Sequence, residues 1–153
     1  MNVIEHLATC AGEWRGSSRL QDPHTNLAED SPSTAMVTSV LEGRFVRFDY
    51  TWGHQGRPQA GSILFGRDPK GIIITAHWID TWHMGHGVMV CEGPARDSEH
   101  LSVRGAYAAP PGADWNWRID LDLSNARTIR LVMYNISPDG KEELAVEASY
   151  SQP

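Results

Sequence analysis

Hydrophobic and polar positions along this chain alternate in short runs, and the period of that alternation is two almost throughout. The clearest run is Arg44 to Trp52, where Val46, Phe48, Tyr50 and Trp52 fall on one face and Phe45, Arg47, Asp49 and Thr51 on the other. A second spans Asp114 to Leu123, setting Trp115, Trp117, Ile119 and Leu121 opposite Asn116, Arg118, Asp120 and Asp122. Side chains of a strand point alternately to its two faces, so each run predicts a strand with one buried side. A helical period is convincing only in Val3, Ile4, Leu7 and Ala8, which predict one or two turns of amphipathic helix ending near Gly12.

Further strands are predicted over Gly12 to about Gln21, Thr34 to Leu41, Gln59 to Phe65, Ile72 into residues 77–87, His86 to Glu92, Leu101 to Tyr107, Ile129 to Ile136 and Glu143 to Tyr150. Turn chemistry separates them: Glu42-Gly43, Gly53 to Gly56, Asp68-Pro69-Lys70-Gly71 and Ser137-Pro138-Asp139-Gly140, with a stiff corner at Ala109 to Gly112. Residues 22–33 read as a polar loop, a candidate lid or rim. About ten strands joined by hairpins must stack as two sheets or close as one. Closure removes unpaired edges and suits the aromatic strand positions. The expectation is one all-β domain over residues 1–153, a closed antiparallel up-and-down barrel of about ten strands with a short N-terminal helix.

Charge narrows the partners. The formal net charge is -6, and the 13 basic residues form no cluster, which argues against nucleic acid and against an anionic membrane surface. Nearly all of them are arginine, which keeps its charge when partly buried and grips carboxylates with two bonds. The N-terminus, Met1 to His6, lacks the pattern of a secretory signal and no stretch approaches about 20 apolar residues, so the expected location is the cytoplasm. Cys10 and Cys91 make neither a disulfide framework nor a metal pair.

Candidate chemistry is densest between His77 and Gly87, which holds three of the seven histidines and two of the six tryptophans. Read as extended, the stretch puts His77, Ile79, Thr81 and His83 on one side and Trp78, Asp80, Trp82 and Met84 on the other. No metal site is expected, because His77 and His83 would stand about 20 Å apart by strand rise. Trp78 and Trp82 would flank Asp80 with apolar surface, an environment that raises a carboxyl pKa and can make it a general acid or base, with His77 or His83 as proton partner. Arg47 with Asp49, and Arg118 with Asp120, are either a solvated outer face or an inward ladder in which an arginine holds a ligand carboxylate. No nucleophile elbow, phosphate loop or dinucleotide fingerprint occurs.

The short helix followed by Gly12-x-Trp14-x-Gly16, the Gly43-Arg44-Phe45-Val46 turn, Gly66-x-Asp68 before a strand ending Trp78-x-Asp80, the Asp139-Gly140-Lys141-Glu142 turn and Glu147 together resemble the bacterial family called domain of unknown function 1579. That family is similar in turn to the calycin superfamily, antiparallel barrels that include lipocalins, fatty-acid-binding proteins and haem-binding nitrobindins. The resemblance implies a calycin-like barrel; core packing reads Trp14 as the plug at its base. In nitrobindins haem rests on a histidine late in the chain, and here no histidine follows His100. No cofactor is therefore expected.

The reading that follows is a barrel binding a small apolar or aromatic molecule inside, with Arg47, Asp49, Trp78, Trp82, Tyr107 and Arg118 as ligand contacts. The alternative is a cofactor-free lyase, isomerase or hydratase in which Asp80 acts with His77 or His83. A third alternative is an interaction module whose exposed aromatic strand face forms a homodimer.

Overall fold

In a computed structural model that describes residues 1–153, the chain runs α1 (Val3–Thr9), β1 (Gly12–Asp22), β2 (Leu27–Val40), β3 (Phe45–His54), β4 (Arg57–Arg67), β5 (Ile73–Asp80), β6 (Met89–Pro94), β7 (His100–Tyr107), β8 (Trp115–Asp122), β9 (Thr128–Ile136) and β10 (Glu142–Ser151). Each strand pairs antiparallel with the next, and β1 pairs with β10, closing a ten-stranded up-and-down barrel. The fold class anticipated from the alternation is the one observed. No helix is long and apolar enough to cross a membrane.

The alternating runs sort between inside and outside, except that Trp115 at the start of β8 is only half-buried and lies outside the core. Val46, Phe48, Tyr50 and Trp52 of β3 are buried, as are Trp117, Ile119 and Leu121 of β8, and they meet inward residues of every other strand in one core cluster. One end of the barrel is sealed. Asn2 caps α1 by accepting from Glu5 N, Glu5 returns the bond to Asn2 N, and the helix then buries Val3, Ile4 and Leu7 against the core. Trp14 closes the same end, fully buried, its indole N–H donating to Cys10 O at 2.8 Å. This is the plug position expected of Trp14 from core packing.

Residues 22–33 differ from the expected loop. Here β1 and β2 continue as a paired ribbon up to the Asp22–Leu27 turn, with register partners Ser17 and Pro32, Arg19 and Asp30, Gln21 and Ala28. On β2 the outer residues 27–32 are exposed or half-buried on both faces, so no alternation marks them in the sequence. Its tip stands over the open end, together with the two-residue Gln55-Gly56 hairpin and the segment after β5.

Candidate functional site

Tyr50 on β3, Gly61 on β4 and Asp80 on β5 are successive register partners across the barrel wall and share the inner face. Gly61 has no side chain to occupy the space between them; a Cβ there would collide with Tyr50 Cζ and Oη. Tyr50 therefore lies across the glycine, and its hydroxyl donates to Asp80 Oδ2 at 2.7 Å. Trp52 Nε1 donates to the same oxygen at 3.3 Å, and Trp78 Nε1 donates to Tyr50 Oη at 2.8 Å. The result is a continuous buried relay from Trp78 through Tyr50 to Asp80.

The strand β5 stops at Asp80, and the side chain that ends it also starts the next turn. Asp80 Oδ1 accepts from Trp82 N and His83 N, both at 2.9 Å, which is how a short acidic side chain reverses a backbone locally. Met84 N closes the turn on Asp80 O at 3.0 Å. His83 is thereby folded back over the barrel mouth, with Nδ1 3.1 Å from Asp80 Oδ1. Burial pushes the Asp80 carboxyl up, but its bonds from the His83 imidazole, the His83 N–H and the Tyr50 hydroxyl outweigh burial and hold it below the usual carboxylate range. An ionised carboxylate can only accept, so His83 Nδ1 carries the proton and Nε2 is turned away from Asp80. No protein group bonds Nε2. Burial, with the Asp80 charge beside it, pushes the Tyr50 phenol well above its ordinary value, so Tyr50 stays a donor.

Above this floor the barrel is open. A cavity of about 680 Å³ is bounded by Trp78, Trp82, Trp117, Tyr107, Met84 and Met89, with Asp22, His24, His54 and Asn135 at its polar edge. A second lobe of about 390 Å³ shares Trp82, His83, Trp117, Asn135 and Pro23 and reaches Gln21, Asn26 and Glu143. Below the floor the interior is filled, leaving a void of only about 10 Å³ beside Tyr50, Trp52, Asp80 and Tyr150. Around His83 the aromatic rings crowd closely: Trp82 at 4.7 Å, Trp117 at 5.3 Å, Trp52 and Trp78 at 5.6 Å between centroids. Trp78 and Trp117 stack at 5.1 Å. The Trp117 Nε1 is the single buried side-chain polar atom without a hydrogen-bond partner.

Of the residues singled out in the sequence, Trp78, Asp80, Trp82, His83 and Tyr107 come together at the mouth. His77 does not. It is exposed on the outer face of β5, because inward Trp78 and Asp80 fix the alternation, so it cannot be the proton partner of Asp80. Arg47 and Asp49 also face out and pair with each other at 2.8 Å, with Ser62 Oγ donating to Asp49. Arg118 lies on the outside of β8, bonded to Asp120 and Glu142 and stacked over Tyr134 at 4.3 Å. These arginines and Asp49 are surface ion pairs, not contacts to anything held in the mouth cavity. His83 departs from its predicted face because the strand ends three residues before it. The expected raised pKa at Asp80 is also overturned, since its neighbours supply donors as well as apolar surface.

Sequence reasoning missed Tyr50 and Trp52 as Asp80 donors, Gly61 as the space that admits them, and His54, Trp117 and Asn135 as cavity wall. The Val46-Phe48-Tyr50-Trp52 face carried a signal: two of its four residues end in a hydrogen-bond donor, an extravagance for a purely apolar core. The aromatic strand faces turn inward, and the large apolar side chains left exposed, such as Met36, Ile79, Val88 and Val90, are aliphatic. At the mouth β9 and β10 present Asn135 and Ala145 rather than an imidazole, so the residues present do not fit a haem held from the late strands. No group of three or more His, Cys, Asp or Glu side chains is arranged to hold a metal ion.

The barrel is similar to the crystal structure of Rv2717c from M. tuberculosis, with a TM-score of 0.66 at 10% sequence identity, covering 99% of this chain and 97% of that one. At that identity the likeness speaks to the fold. No curated protein matches the chain. Its residues 3–152 match the family described as "Protein of unknown function (DUF1579)", and the chain belongs to that family.

Proposed function

We propose that this protein binds a small, mainly aromatic molecule in the cavity at the open end of its barrel. One observation carries the reading: three indoles, Trp78, Trp82 and Trp117, bound an open space of about 680 Å³ above an interior that is otherwise packed solid. A pocket of that size with mostly aromatic walls and a few fixed polar groups has the make-up of small-molecule sites. Trp82 is the wall residue least tied to the core, lying half-buried in the turn after β5. Isothermal titration with naphthalene-sized probes tests the idea: micromolar binding to the wild type, lost in Trp82→Ala, is the expected result. No heat for any probe would sink it.

A second reading has its own support, the pairing of Asp80 Oδ1 with His83 Nδ1 at 3.1 Å. A buried carboxylate that holds the Nδ1 proton leaves Nε2 free to accept a proton from a bound molecule, the arrangement of a general base. The corresponding activity is a cofactor-free lyase, isomerase or hydratase on an aromatic substrate. Asp80 orients the imidazole, His83 moves the proton and the indoles exclude water. His83→Gln, which keeps ligand binding but abolishes turnover in a substrate screen, is the outcome that separates an enzyme from a carrier.

A further inference from the structure

The mouth cavity is built for one kind of polar group. Its two lobes are bounded by no lysine and no arginine, while Asp22 and Glu143 both sit at their edges. A ligand carboxylate entering there would lose its hydration and lie in the field of two acids, and of the lining histidines His54 already faces Asp22 and Glu29 while His83 faces Asp80. A neutral N–H donor, by contrast, is left over. Tyr107 Oη donates to Asn135 Oδ1 at 2.6 Å, which fixes the amide and leaves its Nδ2 group without a protein partner. Asn135 pairs in register with Trp117 across β8 and β9, and both residues line both lobes. Trp117 is 6% exposed, and its N–H is bonded to nothing and sealed from water, so it is closed to an incoming oxygen as well and the donor left for a ligand is the Asn135 amide.

Resting on the binding reading above, we infer that the ligand is a neutral aromatic bearing a carbonyl, whose oxygen is taken by the free Asn135 Nδ2 group. Its ring packs against the indole wall of the cavity. Carboxylic acids of the same shape are rejected. This reverses what arginine-rich composition suggests, because the arginines are spent on the outer surface.

Three probes of similar size separate the possibilities: coumarin, which has a ring carbonyl, naphthalene, which has none, and 2-naphthoate, which is a carboxylate. Calorimetric titration should give coumarin the tightest binding, naphthalene about tenfold weaker and naphthoate weakest. Asn135→Asp keeps the acceptor for Tyr107 and replaces the free donor by an anion. It should cost coumarin about tenfold more affinity than it costs naphthalene, with a thermal melt confirming that the variant folds. Naphthoate binding as tightly as coumarin would overturn the inference, as would an equal effect of the substitution on coumarin and naphthalene. In either of those cases naphthalene binding still upholds the aromatic cavity. If none of the three binds, the cavity reading falls and the carbonyl subsite with it.

Discussion

Gly61 stands between Tyr50 and Asp80, and the absence of its side chain is what lets the Tyr50 hydroxyl reach the carboxylate. The buried polar relay beneath the cavity thus depends on a position that carries no functional group. In Gly61→Ala the added methyl meets the Tyr50 ring and must drive it off Asp80. Overpacking of a tight interior costs about 1 to 3 kcal/mol, and the freed carboxylate adds to that. Urea unfolding should show a loss of at least about 2 kcal/mol with an unchanged slope; a variant as stable as wild type would show that Tyr50 has room to spare.

Asp80 should make the stability of the protein acid-sensitive. Its carboxyl is held below the usual range in the folded state, so the folded protein binds that proton less tightly than the unfolded chain does. The resulting stabilisation is complete above the unfolded value of about 4 and is lost as pH falls through the lower folded value. Asp80→Asn replaces an acceptor by an amino group facing the donors of Trp82 and His83, and at pH 7 it should cost about 2 to 4 kcal/mol. The gap between wild type and variant should narrow below about pH 4. Urea midpoints across pH 3 to 7 provide the check, and a gap independent of pH would contradict the ionised state argued for Asp80.

How much of this was legible in the sequence depended on whether one face of a strand was buried along its whole length. On β3 and β8 it was, and alternation gave both the strand and its inward residues. On β5 the alternation holds only to Asp80, and carrying it through to Met84 put His83 with outward His77. The break is local chemistry: Asp80 bonds the N–H groups two and three residues ahead, which any aspartate can do but few do inside an apparent strand. For Arg47 and Arg118 the period assigned a shared face with Asp49 and Asp120 but not its sign. That sign is set by which of two faces, each containing large residues, packs better against nine other strands. Gly61 had no signature at all, because a glycine required by a neighbour's ring looks like any other.

The outer arginines make a contrasting prediction. Arg47→Ala removes an exposed ion pair with Asp49, and such pairs contribute about 0 to 1 kcal/mol. Arg118→Ala also loses the stacking on Tyr134, for a total of about 1 to 2 kcal/mol. Neither should alter the affinity of an aromatic probe measured by calorimetry. Loss of binding in either variant would relocate the site to the outer wall.

Cys91 offers a direct readout of barrel opening. Its side chain is fully buried on β6, and burial alone pushes the thiol up to about 11. At pH 8 only about a thousandth of it is thiolate, and that fraction is enclosed by the core, so two separate barriers oppose alkylation in the folded state. Cys10 lies half-buried after α1 and should be removed first, as Cys10→Ser, so that one thiol remains. In that variant iodoacetamide should label Cys91 only as fast as the barrel opens, and urea should bring the rate up along the global unfolding curve. A ligand held in the mouth cavity binds only the folded form and should slow labelling in proportion to its saturation. Rapid stoichiometric labelling in native buffer would mean that the β5–β6–β7 wall opens without the rest of the barrel. Such a local opening is the one result that would make this wall, where β6 and β7 share the single register pair Glu92 and Arg104, the weak seam of the closed sheet.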